Sequence, residues 1–167
     1  MKNINRIAII GISGTGKTTL AKLLSEKLKL PIIHRDQLIF LKNWKLADEK
    51  KIEAQIEKDL QKDKWIIEGY IHPASSIRLQ NADIVLYLDY SAFQAFFGAI
   101  KRWLSHRGKI RAEMAEGCIE TLDFDILKTI LKKEERHEIE KLVAQYPKKV
   151  VRLKTRKKMQ DFVKKYF

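Results

Sequence analysis

Residues 6–18 read Arg6-Ile7-Ala8-Ile9-Ile10-Gly11-Ile12-Ser13-Gly14-Thr15-Gly16-Lys17-Thr18. The first five form a short apolar run, rich in β-branched side chains, that stops at Gly11, the pattern of a buried strand. Gly11 to Thr18 then meets G-x-x-x-x-G-K-[ST] at every fixed position. From Thr18 the spacing turns helical, with Leu20, Leu23, Leu24 and Leu28 on one face. A strand, a glycine-rich loop and a helix in that order make a phosphate-binding P-loop for ATP or GTP. The glycines let the loop turn back with its backbone N–H groups aimed at phosphate oxygens. The helix opening at Lys17 adds its positive end. Lys17 suits the β- and γ-phosphates and the Thr18 hydroxyl suits Mg²⁺. The residues expected to hold the nucleotide are Gly11, Ser13, Gly14, Thr15, Gly16, Lys17, Thr18 and Thr19.

Outward from this loop the pattern repeats. Pro31 ends the first helix, and Ile32 to His34 reads as a second strand. Ile52, Ile56 and Leu60 mark an amphipathic helix before a third strand at Trp65 to Ile67. Ile84 to Leu88 is the fourth strand and the most apolar. Ser91 is placed to cap a helix whose Phe93, Phe96, Phe97, Ile100 and Leu104 follow a helical stripe expected in the core. Ser105 to Glu120 loses the period, carries Gly108 and Gly117, and reads as an excursion. One long helix over about Asp123 to Tyr146, a fifth strand at Val150 to Leu153, and a final helix capped by Thr155 complete the chain. Met159, Phe162, Val163 and Tyr166 are expected inward on that last helix. Alternating strands and helices predict an α/β fold, a parallel sheet with helices on both faces. In such folds ligands bind beyond the carboxyl ends of the strands.

The 167 residues, 45% of them hydrophobic and without repeats, are read as one domain, 1–167, with the excursion at about 105–120. No apolar run approaches the ~20 residues of a membrane span, and the run after Met1 to Arg6 is too short for a signal peptide. The one cysteine, Cys118, leaves no internal disulfide and suits a reducing cytoplasm. The formal net charge of +13 predicts attraction to polyanions: nucleotides, nucleic acid or acidic membrane. It is concentrated in two places. Lys101 to Arg111 holds five basic residues and no acid, and Lys148 to Lys165 holds nine against Asp161 alone. The second cluster reads equally as a solvated face or as a nucleic-acid contact.

Among P-loop classes, the guanine-reading N-K-x-D element is absent, since Lys42, Asn43 and the other Asn/Lys pairs lack the following Asp. Large remodelling ATPases need more chain. A small kinase remains, which needs a metal-organising carboxylate, an acceptor-holding group, and cations that exclude water from the γ-phosphate. Asp36, Glu68 and Asp89 each end or follow a strand. Glu68, followed by Gly69 after a buried strand, is the metal candidate, Asp36 is a further carboxylate beyond a strand end, and Asp89 also reads as an ordinary strand-end residue. Arg102, Arg107 and Arg111 supply cations for a lid, because guanidinium forks match phosphate oxygens. His34, His72, His106 and His137 lack metal-ligand spacing and read as ordinary surface or loop residues.

The run Arg107-Gly108-Lys109, Arg111, Met114-Ala115-Glu116-Gly117-Cys118, Asp123-Phe124 resembles the signature of bacterial DNA topology modulation (FlaR-like) proteins, within the adenylate-kinase-like P-loop kinases. The resemblance implies a nucleoside/nucleotide-kinase-like three-layer sandwich, strand order 2-3-1-4-5, with a short lid after the fourth strand. It also implies that Asp36 meets the acceptor or metal, that Arg78 meets an anionic group of the acceptor, and that Arg156 lies beside the base. The chain departs from two related patterns. Glu68-Gly69-Tyr70-Ile71-His72 lacks the arginine of D-G-x-P-R, and the D-x-D of shikimate kinases is reduced to Asp36. The expectation is a cytoplasmic, ATP- and Mg²⁺-dependent kinase. Its acceptor would be a nucleoside, nucleotide or related metabolite. The alternatives are a nucleotide-regulated nucleic-acid-binding protein and an NTPase without acceptor.

Overall fold

β1 (Arg6–Ile10), β2 (Ile32–His34), β3 (Trp65–Glu68), β4 (Ile84–Leu88) and β5 (Val150–Leu153) form one sheet in the order β2-β3-β1-β4-β5. Every pairing is parallel. The computed structural model describes residues 4–69, 76–132 and 134–167. The expected order 2-3-1-4-5 is the observed one. Successive residues of β1 serve opposite faces, and both faces are apolar because both are covered by helices. Ile7 and Ile9 pack under α1 (Lys17–Leu28) and α8 (Arg156–Tyr166), with Leu20, Leu24 and Val163. Ala8 and Ile10 face α3 (Glu49–Leu60), α5 (Ala92–His106), α6 (Phe124–Leu131) and α7 (Glu134–Val143). Two short helices, α2 (Arg35–Ile39) and α4 (Ile77–Asn81), follow β2 and precede β4.

The caps act as their residue types require. Ser91 and Gln94 form a reciprocal capping box on α5. Thr155 accepts from the Lys158 amide at the start of α8, and Asp123 accepts from the Asp125 and Ile126 amides at the start of α6.

Three expectations are corrected. The long helix over 123–146 is two helices, because Lys132 leaves α6 in an extended conformation. The apolar stripe has a matching gap. Ile130 is the last buried residue of α6 and Ile139 the first of α7. The aromatic stripe of α5 is turned outward: Phe93 and Phe97 are exposed, as is Leu104, while Phe96 and Ile100 are half-buried against the core. The buried side of α5 is Ala95, Gly98 and Ala99 instead. Tyr166 is also exposed, stacked at a tilt on half-buried Phe162, and Val163 is the buried residue of α8.

The α5 reversal has a steric cause. A Cβ built on Gly98 would lie 2.0 Å from the carbonyl oxygen of Gly14, and one built on Gly14 would lie 2.0 Å from the Ala95 carbonyl oxygen. The backbone of α5 therefore rests directly on the P-loop, and only small side chains fit between them. Gly98→Ala forces those backbones apart, so an overpacking loss of ~1–3 kcal/mol is expected. A urea midpoint equal to that of the unsubstituted chain would show that the contact is loose.

Candidate functional site

The P-loop leaves β1 at Gly11, whose φ of 148° few other residues would tolerate. The Thr15 hydroxyl donates to the Ile12 carbonyl at 2.8 Å and braces the loop from inside. α1 begins after Gly16 with no side-chain cap and no acid in its first turn. Its leading N–H groups and positive end are thus available to an anion. Lys17 bends back over the loop, its ammonium donating to the Gly11 and Ile12 carbonyls at 2.8 and 3.0 Å. Burial lowers its pKa, and the Glu68, Asp36 and Glu135 carboxylates pull it back up.

A cavity of about 510 Å³ opens above this loop. It gathers Lys17, Thr18, Asp36, Glu68, Arg102 and Arg111 into one space. Ser13, Gly14, Thr15, Gly16, Thr19 and Arg156 also line it. Asp36 comes from the first turn of α2.

The position of Glu68 follows from sheet register. Glu68 is level with Ile9 on one side and with His34 on the other. In parallel strands, level residues face the same way, here toward α1. Glu68, buried, therefore meets the Thr18 hydroxyl at 3.2 Å and His34 Nδ1 at 2.8 Å. His34 is a partner of the site carboxylate rather than an ordinary loop residue. Its signal in the sequence was its place at the end of β2, one strand away from Glu68.

The lid arginines divide. Arg102 reaches Ser13 Oγ with Nη1 at 3.5 Å, and Arg111, within the excursion, is almost wholly buried. Arg107 stands away from them, its guanidinium 5.5 Å above the Trp103 ring. Arg78, on α4, is buried. Burial, with Arg35 nearby, pushes its pKa down to about 9, while Asp36 and Glu68 act the other way. Asp89 pairs with Arg152 at 3.1 Å across the β4–β5 edge, the strand-end reading.

The excursion itself is latched down. Residues Ile110 and Ile119 form an antiparallel bridge. The Cys118 thiol donates to the Leu41 carbonyl and accepts from the Trp44 amide, each at 3.4 Å. Lys42 pairs with Glu116 at 2.8 Å. At Gly117, with φ 76°, a Cβ would lie 2.0 Å from Asn43 Oδ1. Glu116, Gly117 and Cys118 thus hold the excursion against residues 41–44.

Glu135 is a further lining residue that nothing in the sequence pointed to. The neighbouring Arg136 guanidinium donates to the Tyr90 carbonyl and fixes the start of α7 near the end of β4. Burial raises the Glu135 pKa, and Lys17 opposes the rise. The oxygen donors at Thr18 and Glu68 suit a hard divalent cation that keeps most of its coordination for phosphate and water. Among the described residues, no cluster of three or more His, Cys, Asp or Glu makes a dedicated metal cage.

Comparisons with known proteins bear on the fold. The family model for ATPases associated with various cellular activities (AAA) matches residues 7–79. A shikimate kinase of Dehalococcoides mccartyi is 51% identical over 39 residues, 23% of this chain and 22% of that one. A putative adenylate kinase of Methanocaldococcus jannaschii is 28% identical over an alignment of 186 positions covering 97% of this chain and 95% of that one. Among solved structures, the shikimate kinase from Acinetobacter baumannii in complex with shikimate superposes with a TM-score of 0.61 at 14% identity, covering 98% of this chain and 91% of that one. That from Aquifex aeolicus superposes at 0.55 with 18% identity, covering 96% and 92%. The chain therefore has the shikimate-kinase-like P-loop fold, an all-parallel five-stranded sheet carrying a nucleotide-type phosphate loop at its centre.

Proposed function

We propose that this protein is an ATP- and Mg²⁺-dependent phosphotransferase that passes the γ-phosphate to a small acceptor: a nucleoside, a nucleotide or a related metabolite. The observation that carries the reading is the single cavity in which Lys17, the Thr18–Glu68 pair, Asp36, Arg102 and Arg111 converge. The P-loop amides and Lys17 hold the β- and γ-phosphates, and Arg156 lies along the cavity wall where the base would extend. Thr18 and Glu68 would hold Mg²⁺, which when bound would supply positive charge to the phosphate oxygens. Asp36 takes the hydrogen of the acceptor hydroxyl. As that oxygen bonds to the γ-phosphorus, the bridging oxygen leaves with ADP. Arg102 and Arg111 meet the charge on the transferring group and keep water out. Arg78, packed close to Asp36 and Glu68, supplies positive potential for an anionic acceptor.

The lid run supports placing the chain beside the DNA topology modulation proteins, within the adenylate-kinase-like kinases. A cytoplasmic setting agrees with the free thiol of Cys118 and with dependence on ATP. No helix among the described residues is long and apolar enough to cross a membrane. A second reading, nucleic-acid binding, is favoured by α8 and its approach, where Lys154, Arg156, Lys157, Lys158, Lys164 and Lys165 are exposed. Their spread over the surface suits weak contacts to phosphate, indifferent to sequence and lost as salt rises. DNA titrations across a salt series check this, and sequence-selective binding surviving at physiological salt would put the second reading first.

Lys17→Ala removes the central cation, and nucleotide affinity is expected to fall more than ~10-fold, about 1.4 kcal/mol or more. Calorimetry with Mg–ATP measures it, and unchanged affinity in the folded variant would remove the phosphate-site reading. Asp36→Asn is expected to cut transfer at least ~10-fold while leaving ATP affinity within about twofold, since it acts on the acceptor only. Labelled ATP offered to a panel of nucleosides, nucleotides and hydroxylated metabolites, with a no-acceptor control, provides the readout. ATP consumption with no labelled acceptor in any arm would make the protein an NTPase.

A further inference from the structure

We infer that Glu120 is the positioning residue of the lid: its carboxylate grips Arg102 and Arg111 together by their Nε atoms and so fixes how both guanidinium forks stand at the cavity. The inference rests on the nucleotide-site reading above. Glu120 Oε1 accepts from Arg102 Nε at 2.8 Å, and Glu120 Oε2 accepts from Arg111 Nε at 2.8 Å. The Glu120 side chain is only 3% exposed, so this is a buried carboxylate with one guanidinium on each oxygen.

Both bonds use the inner edge of each guanidinium. The outer nitrogens point elsewhere: Arg102 Nη1 to Ser13 Oγ at 3.5 Å on the P-loop, and Arg111 Nη1 to Glu113 Oε1 at 3.3 Å. Glu113 in turn accepts from Lys22 on α1 at 2.9 Å. Burial alone would raise the Glu113 pKa, but Lys22 and Arg111 outweigh it and hold it low. A chain of contacts thus runs from α1 through Lys22, Glu113, Arg111, Glu120 and Arg102 to the P-loop, spanning the cavity on its lid side.

Two long guanidinium side chains on separate elements would each lose rotamer freedom on closing over a triphosphate. A shared carboxylate removes that freedom beforehand and spaces the two forks at a fixed separation, which is the preorganisation that charge stabilisation needs. The backbone helps hold Glu120 in place. Its amide donates to the Lys109 carbonyl at 2.9 Å, so the lid hairpin carries the carboxylate inward as it folds.

The test compares binding of a non-hydrolysable ATP analogue and of ADP, each with Mg²⁺, by calorimetry. On that reading Arg102 and Arg111 face the γ-phosphate alone, whereas the groups that hold the rest of the nucleotide lie elsewhere. Glu120→Gln leaves one Arg Nε facing an amide N–H. Its ADP affinity is expected to stay within about twofold while the preference for triphosphate over diphosphate falls ~10-fold. Glu120→Asp keeps the charge but is too short to reach both arginines, and it is expected to lose part of the same preference. It serves as the readout if the Gln variant does not fold. In an Arg102→Ala/Arg111→Ala background, Glu120→Gln is expected to change the ratio less than twofold. A wild-type ratio in either folded Glu120 variant, with only the melting temperature lowered, would reduce Glu120 to a structural ion pair and overturn the inference while leaving the nucleotide site standing. Binding of neither nucleotide by the unsubstituted chain would overturn the nucleotide reading and this inference with it.

Discussion

The contact on which the rest of the site depends is backbone against backbone, where Gly14 meets Gly98. Each glycine occupies the space in which the other segment's carbonyl lies, so a Cβ on either would sit 2.0 Å from an oxygen. This contact sets the height of α5 above the P-loop, and α5 carries Arg102 one turn further on, after Gly98. A larger residue on the inner face of α5 would lift the helix and move Arg102 away from Ser13. The same constraint explains why Phe93 and Phe97 of α5 face outward. The helix spends its buried side on closeness, with Ala95, Gly98 and Ala99, and not on apolar bulk. Its hydrophobic packing comes from its flank, where half-buried Phe96 and Ile100 adjoin Leu127 and Ile130 of α6 in the same cluster.

The fold was legible in the sequence because its signals were local. β1, the P-loop and α1 were defined by an apolar run, a fixed-spacing motif and a helical stripe. Each strand was a short β-branched run, and Ser91, Asp123 and Thr155 marked helix starts by their side-chain chemistry. The expectations that failed were those that periodicity alone cannot decide. A stripe such as Phe93, Phe97 and Leu104 tells that one face of a helix is apolar, but not whether a closer contact claims the opposite face. α2 and α4 are five residues each, too short to establish a period. Lys132 carries no side-chain signal for a break, and the division of α6 from α7 shows only in which residues reach the core.

The candidate site was legible in part, for a related reason. Lys17, Thr18 and Glu68 could be placed from motif and strand ends, because the parallel sheet delivers strand termini to one edge. His34 was missed, although register makes it level with Glu68. Glu120 and Glu113 were missed because the basic character of Lys101 to Arg111 drew attention to charge of one sign. A buried guanidinium needs an acid beside it, and Arg111, with its side chain 9% exposed, has two. Glu135 arrives from a helix whose place over the cavity depends on the Arg136 contact to Tyr90, a tertiary interaction with no trace in spacing.

The charges around the cavity are sorted by side. Toward the lid, Lys22, Arg102 and Arg111 outnumber Glu113 and Glu120, and each carboxylate already has its cations. Around Lys17 the balance is reversed: Asp36, Glu68 and Glu135 all act on its ammonium, with Arg102 as an opposing cation. On the proposed reading, a triphosphate entering between them is drawn to the lid side and repelled on the acceptor side. A divalent cation arriving with the phosphates would offset the negative charge of Glu68, whose Oε2 faces the Thr18 hydroxyl and whose Oε1 faces His34. The same asymmetry orients the transferring group. Its oxygens would turn toward the arginines, leaving the carboxylate side, with Asp36, for the acceptor hydroxyl of the proposed reaction.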